Sequence, residues 1–156
     1  MPSTTLYVVV APLGGLPARF GRDEWPLHLT LVSNFTLMHA IGDLKRVVKV
    51  VADSGRPVSV RGGAEAMFGP HANIPVRLVE SDDAVSIHQK LLTALDGLID
   101  LVEPDYAGNG FRPHVTARGA DQLGSGESRT LDSLSLVAMT MDAAKVVATY
   151  QLMFAN

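Results

Sequence analysis

The apolar residues of the chain recur with two different periods, which predict different secondary structure. Apolar runs and strict apolar–polar alternation predict strands over residues 5–11, 27–31, 57–67, 74–80, 112–118, 130–140 and 144–153. Apolar residues three or four positions apart predict helices over residues 37–53 and 83–99. Glycine and proline interrupt residues 12–26 and 103–110, so these stretches are predicted to be irregular.

Each predicted helix has an apolar face and a candidate N-cap. The apolar face of the first helix is formed by Ile41, Leu44, Val48 and Val51. That of the second helix is formed by Ile87, Leu91, Leu95 and Leu98. Thr36 is suited to cap the first helix, and Ser81 or Asp82 the second. Met141 and Asp142 are predicted to form a turn between the last two strands.

The order of these elements is that of two related halves, each with strands and one helix. The sequence therefore predicts an α+β fold in which two pseudosymmetric lobes, each an antiparallel sheet with a helix, surround a central cleft. A length of 156 residues with 47% hydrophobic content suits one packed domain, spanning residues 1–156.

One strand in each half carries a histidine and a threonine on its polar face, because residues two apart on a strand share a face. In the first strand, His28 and Thr30 alternate with Leu27, Leu29 and Leu31. The apolar side of the second strand is formed by Phe111, Pro113, Val115 and Ala117. Its polar side is formed by Arg112, His114, Thr116 and Arg118. Both polar faces are predicted to line the cleft.

Two imidazoles brought together in this way suit acid–base chemistry at phosphorus. Imidazole titrates near neutral pH, so one ring can accept a proton while the other donates one to the leaving oxygen. The hydroxyls of Thr30 and Thr116 can donate hydrogen bonds to non-bridging phosphate oxygens, and Arg112 or Arg118 can neutralise their charge. We therefore predict a phosphodiesterase with two catalytic histidines that needs no metal and no cofactor.

Charge and composition narrow the expected partners. The net charge is −3, whereas proteins that hold long nucleic acids usually present a basic face. A small nucleotide or an RNA terminus is therefore the expected substrate, bound by a monomer. The chain has no cysteine, which excludes disulfides and thiolate ligands, and its histidines lack metal-site spacing. No apolar stretch approaches the ~18 residues of a membrane span, so a cytoplasmic protein is expected.

Other aromatic and histidine residues are better explained by packing or exposure than by function. Trp25 and Phe35 bracket the first histidine strand, where a core position is favoured and a stacking surface for a nucleobase is the alternative. Tyr106 is predicted to be an ordinary loop residue, with a lid as the alternative. Surface positions are expected for the remaining histidines, His71 in a loop and His39 and His88 on helices.

The two motifs, at residues 28–31 and 114–117, resemble the paired His-x-Thr/Ser-hydrophobic motifs of the 2H phosphoesterase superfamily. This superfamily contains the 2′-5′ RNA ligase-like proteins and RNA 2′,3′-cyclic phosphodiesterases. Residues 58–80 and the hairpin 134–152 are also similar, so the resemblance spans nearly the whole chain. It implies His28 as proton donor to the leaving oxygen and His114 as base for water, although microscopic reversibility lets these roles exchange.

Some flanking residues depart from the family pattern. Residues 12–26 look too irregular for the helix that often precedes the first motif, and residues 32–34 lack the basic residue that often follows it. Arg118 lies one position earlier than the arginine that often follows the second motif.

Because flanking groups select the substrate, the substrate stays open among cyclic-ended RNA, a 2′-5′ oligonucleotide and a cyclic nucleotide signal of the kind that some viral relatives degrade. The alternative from another class is a non-catalytic nucleotide-binding module. RNA end joining is a third hypothesis, but it would need a basic groove that the sequence does not indicate.

Overall fold

The computed structural model describes residues 5–118 and 121–152. The strands are β1 (Leu6–Pro12), β2 (Arg19–Gly21), β3 (His28–Leu37), β4 (Val58–Phe68), β5 (Ile74–Glu80), β6 (Ile99–Leu101), β7 (His114–Thr116), β8 (Ser128–Leu131), β9 (Ser133–Met139) and β10 (Ala143–Gln151). The helices are α1 (Ile41–Asp53) and α2 (Asp82–Leu95), with 3₁₀ turns at Pro104–Tyr106 and Gly108–Gly110. The predicted α+β class is confirmed.

Every strand pairing among the described residues is antiparallel, and the strands follow the order β2-β10-β9-β1-β3-β7-β5-β4-β8, with β6 beside β3. The two halves share this sheet and meet where Leu29 of β3 pairs with Val115 of β7. The two helices pack on each other; α1 also packs on β9 and β10, and α2 on β3 and β4. The two histidine strands are therefore neighbours at the centre of the fold.

Apolar clusters cover both faces of the sheet. The larger cluster lies between the sheet and the helices and includes Leu29, Leu31 and Val115, whose side chains are almost fully buried. The smaller cluster is formed by Val8, Val10, Phe20, Trp25, Val137, Met139 and Ala144. Because side chains alternate along a strand, burial of Leu29 and Val115 against the helices turns the motif histidines to the opposite face.

Helix α1 begins later than the sequence predicts, at Ile41 after Ala40. The prediction of a helix over 37–53 capped by Thr36 is wrong at its start, because Thr36 continues β3 and pairs with Asp100 of β6. Strand pairing thus prevails over the helical spacing at this boundary. The methyl side chain of Ala40 cannot cap the helix.

Helix α2 begins at Asp82, one residue before the predicted start, and Ser81, one of the two predicted candidates, is its N-cap. The Ser81 hydroxyl accepts a hydrogen bond from the Ala84 amide at 3.0 Å. The helix predicted over 83–99 ends early, at Leu95. Gly97 explains this, because its φ of +82° is a left-handed conformation that ends helices. Neither helix of the described residues is long and apolar enough to cross a membrane.

Several strand boundaries also differ from the sequence prediction. The strand predicted over 112–118 is only His114–Thr116, because Pro113 has no amide hydrogen to donate to a neighbouring strand. The segment predicted as one strand over 130–140 is split between β8 and β9, which pair with different neighbours. Residues 19–21, predicted to be irregular, form β2 beside β10. Residue 153, at the end of the last predicted strand, lies outside the described residues.

Candidate active site

The pairing of β3 with β7 brings the two His-x-Thr motifs side by side. Leu29 and Val115 are partners in this antiparallel ladder. The register therefore sets His28 across from Thr116, and by the same symmetry sets the second histidine across from the first threonine. All four polar side chains lie on one face of the sheet because the residues between them are buried on the other. The structure thus brings together the histidines and threonines that the sequence singles out.

Both histidine rings are held in the same way by their own backbone. The Nδ1 of His28 lies 2.8 Å from the Pro26 carbonyl oxygen, and the Nδ1 of His114 lies 2.8 Å from the Arg112 carbonyl oxygen. A carbonyl oxygen can only accept, so Nδ1 must carry the proton in both rings. The lone pair of each neutral ring is therefore on Nε2, where it can accept a proton from a substrate or from water.

Each histidine also packs against an aromatic ring. The centroid of the Trp25 ring lies 4.4 Å from that of His28, and the centroid of the Phe68 ring lies 4.6 Å from that of His114. Trp25 is 8% exposed and meets Phe20 edge-on, so the core interpretation of Trp25 holds. Sequence reasoning missed the role of Phe68, because only the pairing of β4 with β5 and of β5 with β7 brings it to the motif. These rings limit the orientations that the two imidazoles can adopt.

Burial and nearby positive charge favour the neutral form of both imidazoles. The pKa of His28 is lowered to about 4: burial is the main cause, the hydrogen bond to Pro26 opposes it, and the charges of Arg118 and His114 add to it. Burial also lowers the pKa of His114, aided by the charge of Arg112 and opposed by the hydrogen bond to that residue's carbonyl. A bound phosphate would act in the opposite direction, since an anion favours the protonated ring.

The two arginines of the second motif occupy different surroundings. The Nε of Arg118 is buried and has no hydrogen-bond partner among the described residues. Buried donors are normally paired, so this N–H is available to an anionic ligand. Arg112 is exposed, and its guanidinium lies over the Phe68 ring at 4.8 Å. Arg118 is therefore the better placed of the two to contact a phosphate in the site.

His88 corrects the sequence prediction, which places it on the surface. Its side chain is 2% exposed, and its ring stacks on Phe111 with the centroids 3.8 Å apart. The Nδ1 of His88 lies 2.6 Å from the Leu31 carbonyl oxygen, and its Nε2 accepts from the Gly108 amide at 3.0 Å. The signal that could have found it is its spacing from Ala84, which puts both residues on the apolar face of α2.

The other residues weighed in the sequence occupy the expected surroundings. Phe35 is fully buried and stacks on Tyr7, so it belongs to the core. Tyr106 is 61% exposed in its loop. His71 and His39 are exposed, although His39 precedes α1 instead of lying on it. Across residues 5–118 and 121–152, no three His, Cys, Asp or Glu side chains are grouped so that they could hold a metal ion.

The lowered pKa of His28 predicts a specific loss of stability in acid. The unfolded chain binds a proton at His28 near pH 6.5 but the folded chain only near pH 4. The contribution of the neutral His28 ring to the free energy of unfolding is therefore complete above pH 6.5 and shrinks as the pH falls towards 4. The total loss amounts to about 3 kcal/mol. Urea unfolding at pH 7 and pH 4 should show that His28→Gln loses about 3 kcal/mol less on acidification than the unsubstituted protein. If His71→Gln, a substitution of an exposed histidine, reduced the loss of stability on acidification by a similar amount, the assignment of this effect to His28 would be contradicted.

Solved structures share this fold over essentially their whole length. TT0787 of Thermus thermophilus is 16% identical with a TM-score of 0.63, covering 98% of this chain and 100% of that one. A structure described as a phosphoesterase is 13% identical with a TM-score of 0.58, covering 99% and 100%.

E. coli LigT complexed with 3′-AMP is 13% identical with a TM-score of 0.54, covering 99% and 100%. No protein-family model and no curated protein sequence matches the chain. The chain has the fold of these phosphoesterase and LigT structures, as its resemblance to the 2H phosphoesterase superfamily predicts.

Proposed function

We propose that this protein is a metal-independent phosphodiesterase of the 2H type, which hydrolyses a cyclic or 2′-5′ phosphodiester of a nucleotide or an RNA end. The observation that carries the proposal is the pairing of Leu29 with Val115, which sets two identically held histidines on one face of the sheet. Two imidazoles with Nδ1 fixed and Nε2 available are what acid–base catalysis on both sides of a phosphorus atom requires.

In the proposed reaction, one neutral ring takes a proton from water as the water oxygen bonds to phosphorus. The other ring, protonated, gives its proton to the ribose oxygen as the bond from that oxygen to phosphorus breaks. The product is a phosphomonoester, and the two rings have exchanged protonation states. The pKa of His28 is lowered to about 4, mainly by burial, so this ring suits the role of the neutral base, which leaves His114 as the acid. This order is the reverse of the one that the family resemblance implies.

The remaining polar groups suit a small phosphate ester. The hydroxyls of Thr30 and Thr116 share the face of the two histidines, and the buried Nε of Arg118 has no partner among the described residues. These donors can neutralise the charge that builds on the non-bridging oxygens. LigT, which has this fold, has been crystallised with 3′-AMP, NADP+ and ATP, so nucleotides are the ligand class we propose for this chain.

The test is turnover of a defined panel in the presence of EDTA. The panel contains 2′,3′-cyclic mononucleotides, an RNA ending in a 2′,3′-cyclic phosphate, a 2′-5′ linked dinucleotide and cyclic dinucleotides. We expect turnover of at least one member, unchanged by EDTA and by His71→Ala, a substitution of an exposed loop histidine. Cleavage confined to cyclic dinucleotides would assign the protein to signal degradation.

Two outcomes of the panel would overturn the proposal. Strong inhibition by EDTA, reversed by added metal, would remove the metal-independent mechanism. Binding of 3′-AMP without turnover of any panel member would favour a nucleotide-binding module that keeps the fold. The second outcome is less expected from the geometry, because a binder needs hydroxyls and an arginine but not two paired imidazoles.

A further inference from the structure

His88 of α2 ties together the segments that lead to the two motif histidines. Its Nδ1 donates to the carbonyl oxygen of Leu31, the last residue of the first motif, at 2.6 Å. Its Nε2 accepts from the amide of Gly108 at 3.0 Å, and its ring lies within 9° of parallel to the ring of Phe111. Gly108 and Phe111 belong to the segment that enters β7, so one side chain contacts both halves of the candidate site.

A neutral imidazole is the side chain that can make all of these contacts together. The Leu31 carbonyl only accepts and the Gly108 amide only donates, so the ring must carry its proton on Nδ1 and its lone pair on Nε2. Such a ring is planar, donates through Nδ1 and accepts through Nε2. An aliphatic residue would fill the same space but would leave the partly buried amide of Gly108 without this partner, which costs free energy.

The segment that enters β7 is held by the sheet at one end, where the Val79 amide donates to the Pro113 carbonyl oxygen and β7 pairs with β5. At the other end, the Gly108 amide donates to His88. Gly108 has a φ of +64°, and a Cβ on Gly110 would collide with the Asp105 carbonyl oxygen, so this turn requires glycine. Phe111 packs against the core, and the bond from the Gly108 amide to His88 holds the glycine-rich part of the turn. Strand β7 itself is short, and Leu29–Val115 is its register pair with β3.

We propose that His88 is a positioning residue, which sets where His114 lies relative to His28 and thereby the rate of the proposed phosphodiester reaction. The inference rests on that proposed function. His88 does not contact the reacting atoms in this reaction. It acts through the backbone of β3 and of the turn before β7, and a misplacement of about 1 Å at a catalytic group can lower a rate by about 100-fold.

The test compares two substitutions of His88 with a matched substitution elsewhere in the core. His88→Phe keeps a flat ring against Phe111 but removes both hydrogen bonds, whereas His88→Gln offers an amide that can still accept from Gly108. Val48→Ala is the control, because Val48 is fully buried on α1, which packs on α2, β9 and β10, so its loss destabilises the same core without removing either hydrogen bond of His88. The readouts are kcat and KM well below each variant's Tm, and hydrogen–deuterium exchange of residues 28–31 and 108–116.

We expect His88→Phe to lower kcat by about ten-fold or more and to change KM by less than about three-fold, with faster exchange in both segments. His88→Gln should recover part of the lost kcat. Val48→Ala should lower Tm without changing kcat or the exchange of these segments. A His88→Phe protein with unchanged kcat would overturn the proposal even if its Tm falls, since His88 would then be a purely structural residue.

Two further measurements keep the inference separate from protein stability and from the proposed function. If His88→Phe does not fold, the ¹⁵N chemical shifts of His88 in the unsubstituted protein report which ring nitrogen carries the proton. An Nε2–H tautomer is incompatible with the hydrogen bond from Gly108 and would overturn the proposal. If the unsubstituted protein turns over no panel member, the proposed function fails. The difference in hydrogen–deuterium exchange between His88→Phe and Val48→Ala then still tests the inference. Equal exchange of residues 28–31 and 108–116 in the two variants would show that His88 does not hold these segments together.

Discussion

Replacement of either His28 or His114 with alanine should lower kcat/KM by about 100-fold or more on whichever panel substrate is turned over. Each ring holds its Nδ1 proton in a hydrogen bond to a backbone carbonyl and offers Nε2 to the same face of the sheet. Loss of one ring removes either the acceptor for the water proton or the donor to the leaving oxygen. The measurement is steady-state kinetics beside His71→Ala, which should be unchanged.

The double substitution should cost little more than the worse of the single ones. Groups that act as a unit in one proton-transfer sequence are not additive, because the second has nothing left to act on once the first is gone. Multiplicative losses, with the double variant down by the product of the single effects, would show that the histidines act independently. That result would contradict paired acid–base roles.

The pH dependence and a reactive substrate separate the two roles. If His28 is the base, kcat/KM of the free enzyme should fall below about pH 4, where its ring becomes protonated. On the basic side it should fall as His114 loses its proton. With a nucleoside 3′-(4-nitrophenyl phosphate), whose leaving group needs no proton, His114→Ala should lose much less activity than His28→Ala. The opposite order would restore the assignment implied by the family resemblance.

Arg118→Met should lower kcat by about 10²- to 10³-fold, the cost of removing one donor that stabilises charge in a transition state. The buried Nε of Arg118 has no hydrogen-bond partner among the described residues, and its charge reaches His28. Methionine keeps much of the side-chain length and apolar contact but removes the guanidinium. Steady-state kinetics on the best panel substrate measures the loss.

Arg112→Met is the matched control, because Arg112 belongs to the same motif but is exposed over Phe68. It should cost less than about ten-fold, as expected when an exposed, solvent-screened charge is removed. Arg118→Met should also raise the pKa of His28, since the Arg118 charge lowers it, and ring NMR shifts during a pH titration would show this. Equal losses for both variants, or a larger loss for Arg112→Met, would contradict the role given to Arg118.

The sequence by itself determined which side chains form the two polar faces. Alternation with a period of two separates His28 and Thr30 from their leucine neighbours in any strand, whatever that strand pairs with. The same local rule assigns His114, Thr116 and the two arginines to one side of the second strand. The existence of both helices and the α+β class follow equally from local periodicity. These features need no knowledge of distant residues.

Tertiary structure decided the boundaries and the surroundings of the site. The pairing of Thr36 with Asp100 turned a predicted helix start into strand, and no local pattern contains the position of β6. The sequence predicts a surface position for His88 on a helix, whereas its partners Leu31 and Gly108 lie 57 and 20 residues away along the chain. Such contacts arise from chain folding, so a single sequence holds no direct record of them.

The electrostatics of the candidate site also came from tertiary structure. A histidine in sequence has its ordinary pKa, and burial with the approach of Arg118 is what lowers the pKa of His28 to about 4. The Phe68 ring beside His114 likewise depends on the order of β4, β5 and β7 in the sheet. Local periodicity therefore supplied the reactive groups, while long-range packing set their distances, protonation and orientation, because those quantities depend on neighbours that the chain brings together only on folding.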